Sequence, residues 1–236
     1  MPKGGRGGRR VASQATTATP SGAGINIGSI GNFTLLNDAE AQDLRDEVDS
    51  IYTPSVLDAI KQYISKATDS SGYSMAQNLN YKLENGLPLT ANEKFMVKYM
   101  MQGMHPIGKD TILYRGAHED LLQKLGVNNY QNYTEAQLKQ MIVGSTFKSK
   151  SFTSTSYDKS KNPFYTGPNS GGREVEIVIK APGSTKMVFG ARSQAEMILG
   201  IGTEYKVNDI SYTGRYATPR NAGTKKVVRV ELEVIG

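Results

Sequence analysis

The hydrophobic periodicity of this chain changes once, near residue 111, and that change constrains the fold more than any other feature. Over residues 37–104, apolar side chains recur at helical spacing. Beyond that point apolar and polar residues alternate, most clearly over 174–180 and 228–234, which is the period of a strand. Helices first and strands later predict an α+β fold, with an N-terminal helical layer followed by a mainly antiparallel β-sheet core.

The first two helices can be placed from single residues. Leu44, Val48 and Ile51 follow the i, i+4, i+7 spacing of one helix face, so we expect that face to be buried. Thr53 followed by Pro54 is typical of an N-cap with proline in the first helical position. A second helix is therefore predicted to begin at Pro54.

Capping signals mark three further helix ends. Thr90 with Glu93, and Thr134 with Gln137, have the spacing of a capping box, in which each side chain bonds the other residue's backbone N–H. Gly86 follows a run of helical periodicity and is a predicted C-cap, because glycine adopts the left-handed conformation without steric cost.

Composition excludes several classes of function. The chain has 236 residues and no cysteine, so disulfides, thiolate metal sites and cysteine nucleophiles are impossible. With two histidines, His105 and His118, neither a multi-histidine metal site nor a histidine-dependent triad is expected. No apolar run approaches the roughly 20 residues that span a bilayer, and no apolar stretch follows the basic N-terminus, so neither a membrane span nor a signal peptide is expected.

The N-terminal segment differs from the rest of the chain. Residues 1–36 are rich in glycine, serine, threonine and basic residues, and this composition predicts a disordered tail ahead of one domain over 37–236. The net charge of +6 and the arginine–glycine cluster at 4–10 are also compatible with nucleic-acid binding. A non-enzymatic nucleic-acid-binding or phage structural protein is therefore an alternative interpretation.

Three short motifs far apart in sequence carry the chemistry. LYRGA places Arg115 after an apolar run, and the guanidinium fork suits phosphate oxygens, while Gly116 lets the backbone approach a ligand closely. FTSTS is a hydroxyl cluster that begins an extended segment, and QAE places Glu196 at the start of an apolar strand. Each motif alone is weak evidence of function. The gaps between them leave room for a helix and a strand, and their order along the chain adds further evidence.

In that order the motifs resemble the Arg–Ser–Glu class of mono-ADP-ribosyltransferases, the class of the C3-like exoenzymes and the binary actin-modifying toxins. The resemblance covers about residues 40–236 and includes the Gly-x-x-Phe lead-in at 144–147. It implies that Ser154 hydrogen-bonds the catalytic Glu196, with Thr155 and Ser156 supporting the strand and the nicotinamide pocket.

The resemblance also implies the reaction. ADP-ribose is transferred from NAD to a macromolecule, nicotinamide is released, no metal takes part, and water gives a weak NAD glycohydrolase activity. Breaking the bond from nicotinamide to ribose passes through an oxocarbenium-like state, as in glycoside hydrolysis. A fixed carboxylate at Glu196 stabilises that charge electrostatically. The predicted catalytic residues are Arg115, Ser154, Gln194 and Glu196, and the predicted NAD-binding residues are Arg115, Gly116, Ser154, Thr155, Ser156 and Glu196.

The acceptor is predicted from Gln194. Relatives with glutamate two residues before the catalytic glutamate mostly modify arginine, whereas a neutral amide there suits a side-chain amide acceptor in a host protein. A nucleobase acceptor, reached through the basic tail, is the other open interpretation. Residues 188–193 are expected to form the target-recognition turn, with Phe189 as a candidate exposed aromatic, and residues 163–173 to flank the NAD phosphates.

The resemblance further implies an enzyme that is secreted or delivered into a target cell and is active in its cytosol. The basic tail is not a general feature of the family. It is interpreted as a nucleic-acid tether or as the remnant of a longer delivery protein.

Overall fold

A computed structural model describes residues 33–161, 174–217 and 225–236. Every described residue belongs to one compact unit, Gly31–Gly236. The predicted tail at 1–36 thus lies almost wholly outside the described residues, as does the predicted phosphate-flanking segment at 163–173. The domain boundary at residue 37 stays a prediction.

Four helices form the N-terminal layer, each beginning where a capping side chain accepts a backbone N–H. The four are α1 (Asp38–Ile51), α2 (Pro54–Tyr63), α3 (Met75–Asn85) and α4 (Ala91–Gln102). Thr53 caps α2, and Thr90 with Glu93 forms the predicted capping box of α4. Gly86 ends α3 at φ 64°, as its position in the sequence predicts. Each N-capping side chain stabilises its helix by about 1 kcal/mol.

The buried face of α1 agrees only in part with the predicted one: Val48 is buried and Leu44 packs against the core, but Ile51 does not join them. Its buried residues are Ala41, Arg45 and Val48, while Ile51 is 56% exposed. The apolar spacing from Leu44 to Ile51 therefore misplaced the face by about one residue. The reason is that an arginine, which periodicity counts as polar, occupies the centre of the buried stripe.

Nine strands form one sheet in the described residues. Their order is β1-β6-β7-β4-β2-β5-β9-β8-β3, and only β5 and β9 pair in parallel. The α+β fold with a mainly antiparallel sheet is thus confirmed. The strands are β1 (His105–Pro106), β2 (Thr111–Ala117), β3 (Thr146–Lys148), β4 (Thr153–Ser156), β5 (Val175–Ala181), β6 (Lys186–Phe189), β7 (Glu196–Leu199), β8 (Glu204–Ala217) and β9 (Lys225–Val234).

Two further helices, α5 (Asp120–Lys124) and α6 (Glu135–Ile142), lie between β2 and β3 in the chain, and the capping box predicted for α6 is present. One hydrophobic cluster joins the helical layer to the sheet; Ile60 and Leu79 from the helices share it with Ile198 from β7. Among the described helices, none combines the length and the hydropathy that a membrane crossing requires.

Strand β5 is buried on both faces, although its sequence alternates apolar and charged residues. Glu176 is fully buried, and its Oε1 lies 3.2 Å from Arg229 Nη2 and 3.6 Å from Lys159 Nζ. Alternation therefore predicted the strand correctly, but the polar face that it implies is largely buried and not exposed to solvent. The buried carboxylate is tolerated because cations from neighbouring segments accompany it.

Candidate active site

The three sequence motifs lie side by side on adjacent strands. Arg115 is in β2, Ser154 in β4 and Glu196 in β7, and these strands are neighbours in the order β7-β4-β2. The register pairs Ser156 with Glu196 on one side and with Tyr114 on the other. Antiparallel pairing thus brings together residues that the sequence separates widely.

All seven predicted site residues line a single cavity of about 430 Å³. This volume lies within the range of small-molecule sites. Residues from α2 and from the start and body of α3 form the remaining wall, and the sequence analysis missed them. The lining comprises Arg115, Gly116, Ser154, Thr155, Ser156, Gln194 and Glu196, together with Tyr63, Ser74, Ala76, Gln77 and Asn80.

Arg115 is fixed by the strand beside it. Its Nη1 donates a hydrogen bond of 2.9 Å to the carbonyl oxygen of Ser154, and the side chain is half-buried. One backbone contact uses only part of a guanidinium, which carries five N–H donors. Donors therefore remain for an anionic ligand. Gly116, which has no side chain, follows directly on the cavity wall.

Hydrogen bonds connect helices α2 and α3 to strand β4, which carries the hydroxyl cluster, and to the residue just before it. Asn80 Nδ2 donates to the Tyr63 hydroxyl at 2.8 Å, and Asn80 Oδ1 accepts from the backbone N–H of Phe152 at 3.2 Å. Burial raises the pKa of the Tyr63 phenol, while hydrogen bonds with Ser154 and Asn80 oppose that shift. The phenol therefore stays protonated at neutral pH and holds α2, α3 and β4 in a fixed relation.

The Glu196 carboxylate is held by the backbone of the turn before it. Its Oε2 accepts a hydrogen bond of 2.8 Å from the backbone N–H of Ala191, and the residue is only 9% exposed. Among the described residues no hydrogen bond joins Ser154 to Glu196, so the geometry expected from the family resemblance is not the one observed. A backbone donor takes that place because the turn folds directly over the carboxylate.

Gln194 lies in a tight turn between β6 and β7. Residues Arg192–Gln194 form one turn of 3₁₀ helix, and Ala195 follows with φ 47°, an uncommon conformation for a residue other than glycine. Ser156 Oγ donates to the carbonyl oxygen of Gln194 at 2.7 Å. The backbone of Gln194 is thereby fixed, while its side chain remains half-exposed at the cavity.

Phe189 does not have the exposed position that the sequence suggested. It is 2% exposed, because it lies in β6 and pairs with Met197 of β7. The accessible part of the turn is formed by Arg192 and Ser193, which are exposed. Recognition of a target at this turn would thus involve polar side chains.

Gly190 is required by the position of Glu196, which gives a testable prediction. A Cβ at Gly190 would overlap the Oε2, Cδ and Cγ atoms of Glu196, so Gly190→Ala displaces the carboxylate. A displacement of about 1 Å costs on the order of 100-fold in rate. We expect NAD cleavage to fall by about that factor, measured as nicotinamide release. A variant with wild-type turnover and wild-type melting temperature would contradict this expectation.

Within the described residues, no group of three His, Cys, Asp or Glu side chains is arranged to hold a metal ion. What the cavity offers is one guanidinium, several hydroxyls and a buried carboxylate on adjacent strands. Such an arrangement suits a dinucleotide whose diphosphate needs a cation and whose ribose needs a fixed acceptor. The fold and the cavity together indicate an enzyme of the ADP-ribosyl-transfer class.

Comparison with known proteins agrees with that class. The sequence model of the ADP-ribosyltransferase exoenzyme family matches residues 36–233, and the chain belongs to this family. It is an NAD-dependent mono-ADP-ribosyltransferase, which transfers ADP-ribose from NAD to a macromolecular acceptor and releases nicotinamide. The comparison with curated proteins gives no match.

Solved structures share the fold. Plx2a, an ADP-ribosyltransferase toxin from Paenibacillus larvae, is 17% identical with a TM-score of 0.62; the alignment covers 83% of this chain and 93% of Plx2a. The C3 exoenzyme of Clostridium limosum is 20% identical with a TM-score of 0.58, covering 87% of this chain and 98% of the exoenzyme. The enzymatic component of the Clostridium botulinum C2 toxin is 14% identical with a TM-score of 0.59, covering 84% of this chain but 48% of that component.

Proposed function

We propose that Arg115, Ser154 and Glu196 are the catalytic set of this transferase, with Gln194 directing the acceptor. The observation that carries the proposal is the single cavity onto which all of these residues open. Arg115 binds the diphosphate of NAD, Glu196 stabilises charge on the ribose, and Ser154 with Ser156 shapes the nicotinamide end. Gly116 and Thr155 complete the wall, and Thr155 Oγ1 donates to the Met197 carbonyl at 2.7 Å.

Arg115 also borders a second cavity of about 340 Å³, which gives NAD room to extend. Apolar side chains form much of its wall, among them Leu121, Phe147 and Phe152, and Lys148 and Lys150 lie at its rim. The adenosine of NAD has an apolar base face and is joined to the diphosphate through its 5′ oxygen, so it suits an apolar wall with lysines nearby. We therefore place the nicotinamide riboside in the first cavity, the adenosine in the second and the diphosphate at Arg115 between them.

The reaction breaks the bond between ribose C1′ and the nicotinamide nitrogen. Its electron pair leaves with nicotinamide, which becomes neutral, and positive charge develops on the ribose. The Glu196 carboxylate, already fixed by the Ala191 N–H, opposes that charge without reorganising. The acceptor nitrogen then bonds to C1′ and its proton passes to solvent; water in its place gives slow NAD hydrolysis.

The acceptor is a side-chain amide, asparagine or glutamine, on a protein of the cell into which the enzyme is delivered. Support comes from Gln194, a neutral amide at the mouth of the cavity, where a carboxylate would instead pair with a guanidinium. The relatives include proteins described as toxins, which accords with action inside a target cell. Nucleic acid contacted through residues 1–30 is the competing acceptor.

The acceptor is identified by incubating cell lysate with labelled NAD and the enzyme, then mapping the label by mass spectrometry. We expect label on protein asparagine or glutamine, stable to hydroxylamine, and unchanged when residues 1–30 are deleted. Gln194→Glu is the matched variant, since it should lower amide labelling while leaving NAD hydrolysis in place.

Label found only on arginine, and lost with hydroxylamine, would contradict the role of Gln194. Label that survives protease but not nuclease, and disappears with the 1–30 deletion, would replace the protein acceptor by nucleic acid. Neither outcome changes the assignment of Glu196.

A further inference from the structure

We propose that Arg45, in α1, is a positioning residue that acts on Glu196 through a single peptide group, the one between Gly190 and Ala191. The inference rests on the catalytic role proposed above for Glu196. It assigns part of the catalytic geometry to a helix that does not line the cavity, and to a residue that sequence periodicity counted as polar surface.

Arg45 is buried against the turn. It is 7% exposed, and its guanidinium lies over the ring of Phe189 at 4.5 Å from the centroid. Its Nη1 donates a hydrogen bond of 3.1 Å to the carbonyl oxygen of Gly190. An arginine remains protonated in proteins, so a full positive charge is held at this carbonyl in surroundings of low dielectric.

The carbonyl that Arg45 contacts belongs to the same peptide group as the N–H that holds Glu196. Gly190 contributes the C=O, and Ala191 contributes the N–H that donates to Glu196 Oε2 at 2.8 Å. A cation at the oxygen end polarises the peptide and makes its N–H a stronger donor, because hydrogen bonds in a chain reinforce one another. Arg45 and Glu196 are thus linked as cation, peptide and carboxylate in series.

The turn leaves the carboxylate little choice of position. The N–H of Gly190 donates to the Glu196 carbonyl at 3.0 Å, and the Glu196 N–H donates to the Ala191 carbonyl at 3.2 Å. The carboxylate occupies the space that a Cβ at Gly190 would take. A rotation of the Gly190–Ala191 peptide would therefore move the hydrogen-bond donor away from Oε2 and release the side chain.

A second arginine ties the same turn to α1 but in a different way. Arg192 Nη1 donates to Gln42 Oε1 at 2.9 Å, and its Nη2 lies 3.6 Å from Asp46 and 3.7 Å from Asp49. Arg192 is 60% exposed, and exposed ion pairs contribute little. The buried contact from Arg45 is therefore the one that fixes the peptide.

The test compares variants of the full chain in NAD hydrolysis without acceptor. Arg45→Met keeps an unbranched side chain and much of the apolar packing but removes the charge and the hydrogen-bond donor. Arg45→Lys restores the charge with a single donating group. Val48→Ala is the matched control, because Val48 is 3% exposed on the same face of α1 and its loss weakens the packing of that helix without touching the peptide.

We expect Arg45→Met to lower kcat by about 10- to 100-fold with the KM for NAD changed less than about threefold, since only the position of the carboxylate is disturbed. Arg45→Lys should recover part of the loss, and Val48→Ala should keep kcat near wild type. In ¹H–¹⁵N spectra the Ala191 amide should move upfield in Arg45→Met, in the direction that Glu196→Gln also moves it.

Wild-type kcat in Arg45→Met, or an equal loss in Val48→Ala, would overturn the inference. If Arg45→Met does not fold, Arg45→Gln, which removes the charge but keeps a donor group, takes its place, and a wild-type Ala191 resonance with wild-type kcat in that variant overturns the inference. Glu196→Gln separates the two proposals: full turnover in that variant removes the catalytic role of Glu196, whereas lost turnover there beside an active Arg45→Met removes only the role of Arg45.

Discussion

Replacing Glu196 by glutamine should lower nicotinamide release by at least about 100-fold, the scale of one preorganised electrostatic contact in a buried site. The amide has nearly the same shape, so the cavity and the fold should remain. Glu196 is 9% exposed and its carboxylate accepts a backbone N–H at 2.8 Å, so its charge acts in surroundings where water screens it weakly. The loss should therefore appear in kcat.

The measurement is steady-state nicotinamide release together with NAD affinity from calorimetry. The affinity should change less than about threefold, because the variant removes an interaction that strengthens only in the transition state. Glu204→Gln is the matched control, since Glu204 begins β8, the strand after β7, and its replacement changes the net charge equally. Wild-type turnover in Glu196→Gln would remove Glu196 from the mechanism, whereas an equally large loss in Glu204→Gln would assign the effect to net charge.

Local signals in the sequence predicted much of this fold because the structure satisfies them locally. Thr90 with Glu93 and Thr134 with Gln137 form the predicted capping boxes, and these bonds lie within single turns of chain. The order of the motifs also predicted a shared site, because antiparallel pairing of β2, β4 and β7 turns distant segments into neighbours.

Features that depend on tertiary packing were not predictable in the same way. Arg45 is buried because a turn about 145 residues further on supplies a carbonyl and an aromatic ring, and nothing near Arg45 indicates that partner. Tyr63 and Asn80 resemble ordinary helix positions, yet they line the cavity. Phe189 falls within the turn expected at 188–193 and was predicted to be exposed, but pairing of β6 with β7 buries it.

The family resemblance misplaced one contact for a related reason. It implied that Ser154 holds Glu196, whereas in the register Ser154 pairs with Ile198 and Ser156 pairs with Glu196. The bond that Glu196 forms depends on how the turn before β7 folds over its carboxylate, where the Ala191 N–H is the donor, and the residues of that turn carry no strong signal of their own. The sequence thus predicted which residues line the cavity more readily than which hydrogen bonds they form.

Arg115→Met should weaken the binding of NAD more than any other single change at the site. The guanidinium donates to the Ser154 carbonyl at 2.9 Å and retains donors for the diphosphate. A hydrogen bond to a charged group contributes about 1.5–3 kcal/mol, which corresponds to a rise in KM of about 10- to 100-fold. Because the diphosphate is bound alike before and during bond cleavage, kcat should change much less.

Arg115→Lys distinguishes charge from geometry. A lysine restores the positive charge but not the planar fork, so it should recover only part of the affinity for NAD. Lys109→Met is the control for net charge, because Lys109 is only half-buried and pairs with Glu40 outside the cavity lining. If Arg115→Met and Lys109→Met raise KM equally, the effect is long-range attraction and Arg115 does not contact the diphosphate. If Arg115→Met lowers only kcat, the hydrogen bond from Arg115 to the Ser154 carbonyl serves instead to hold strand β4 in place for catalysis.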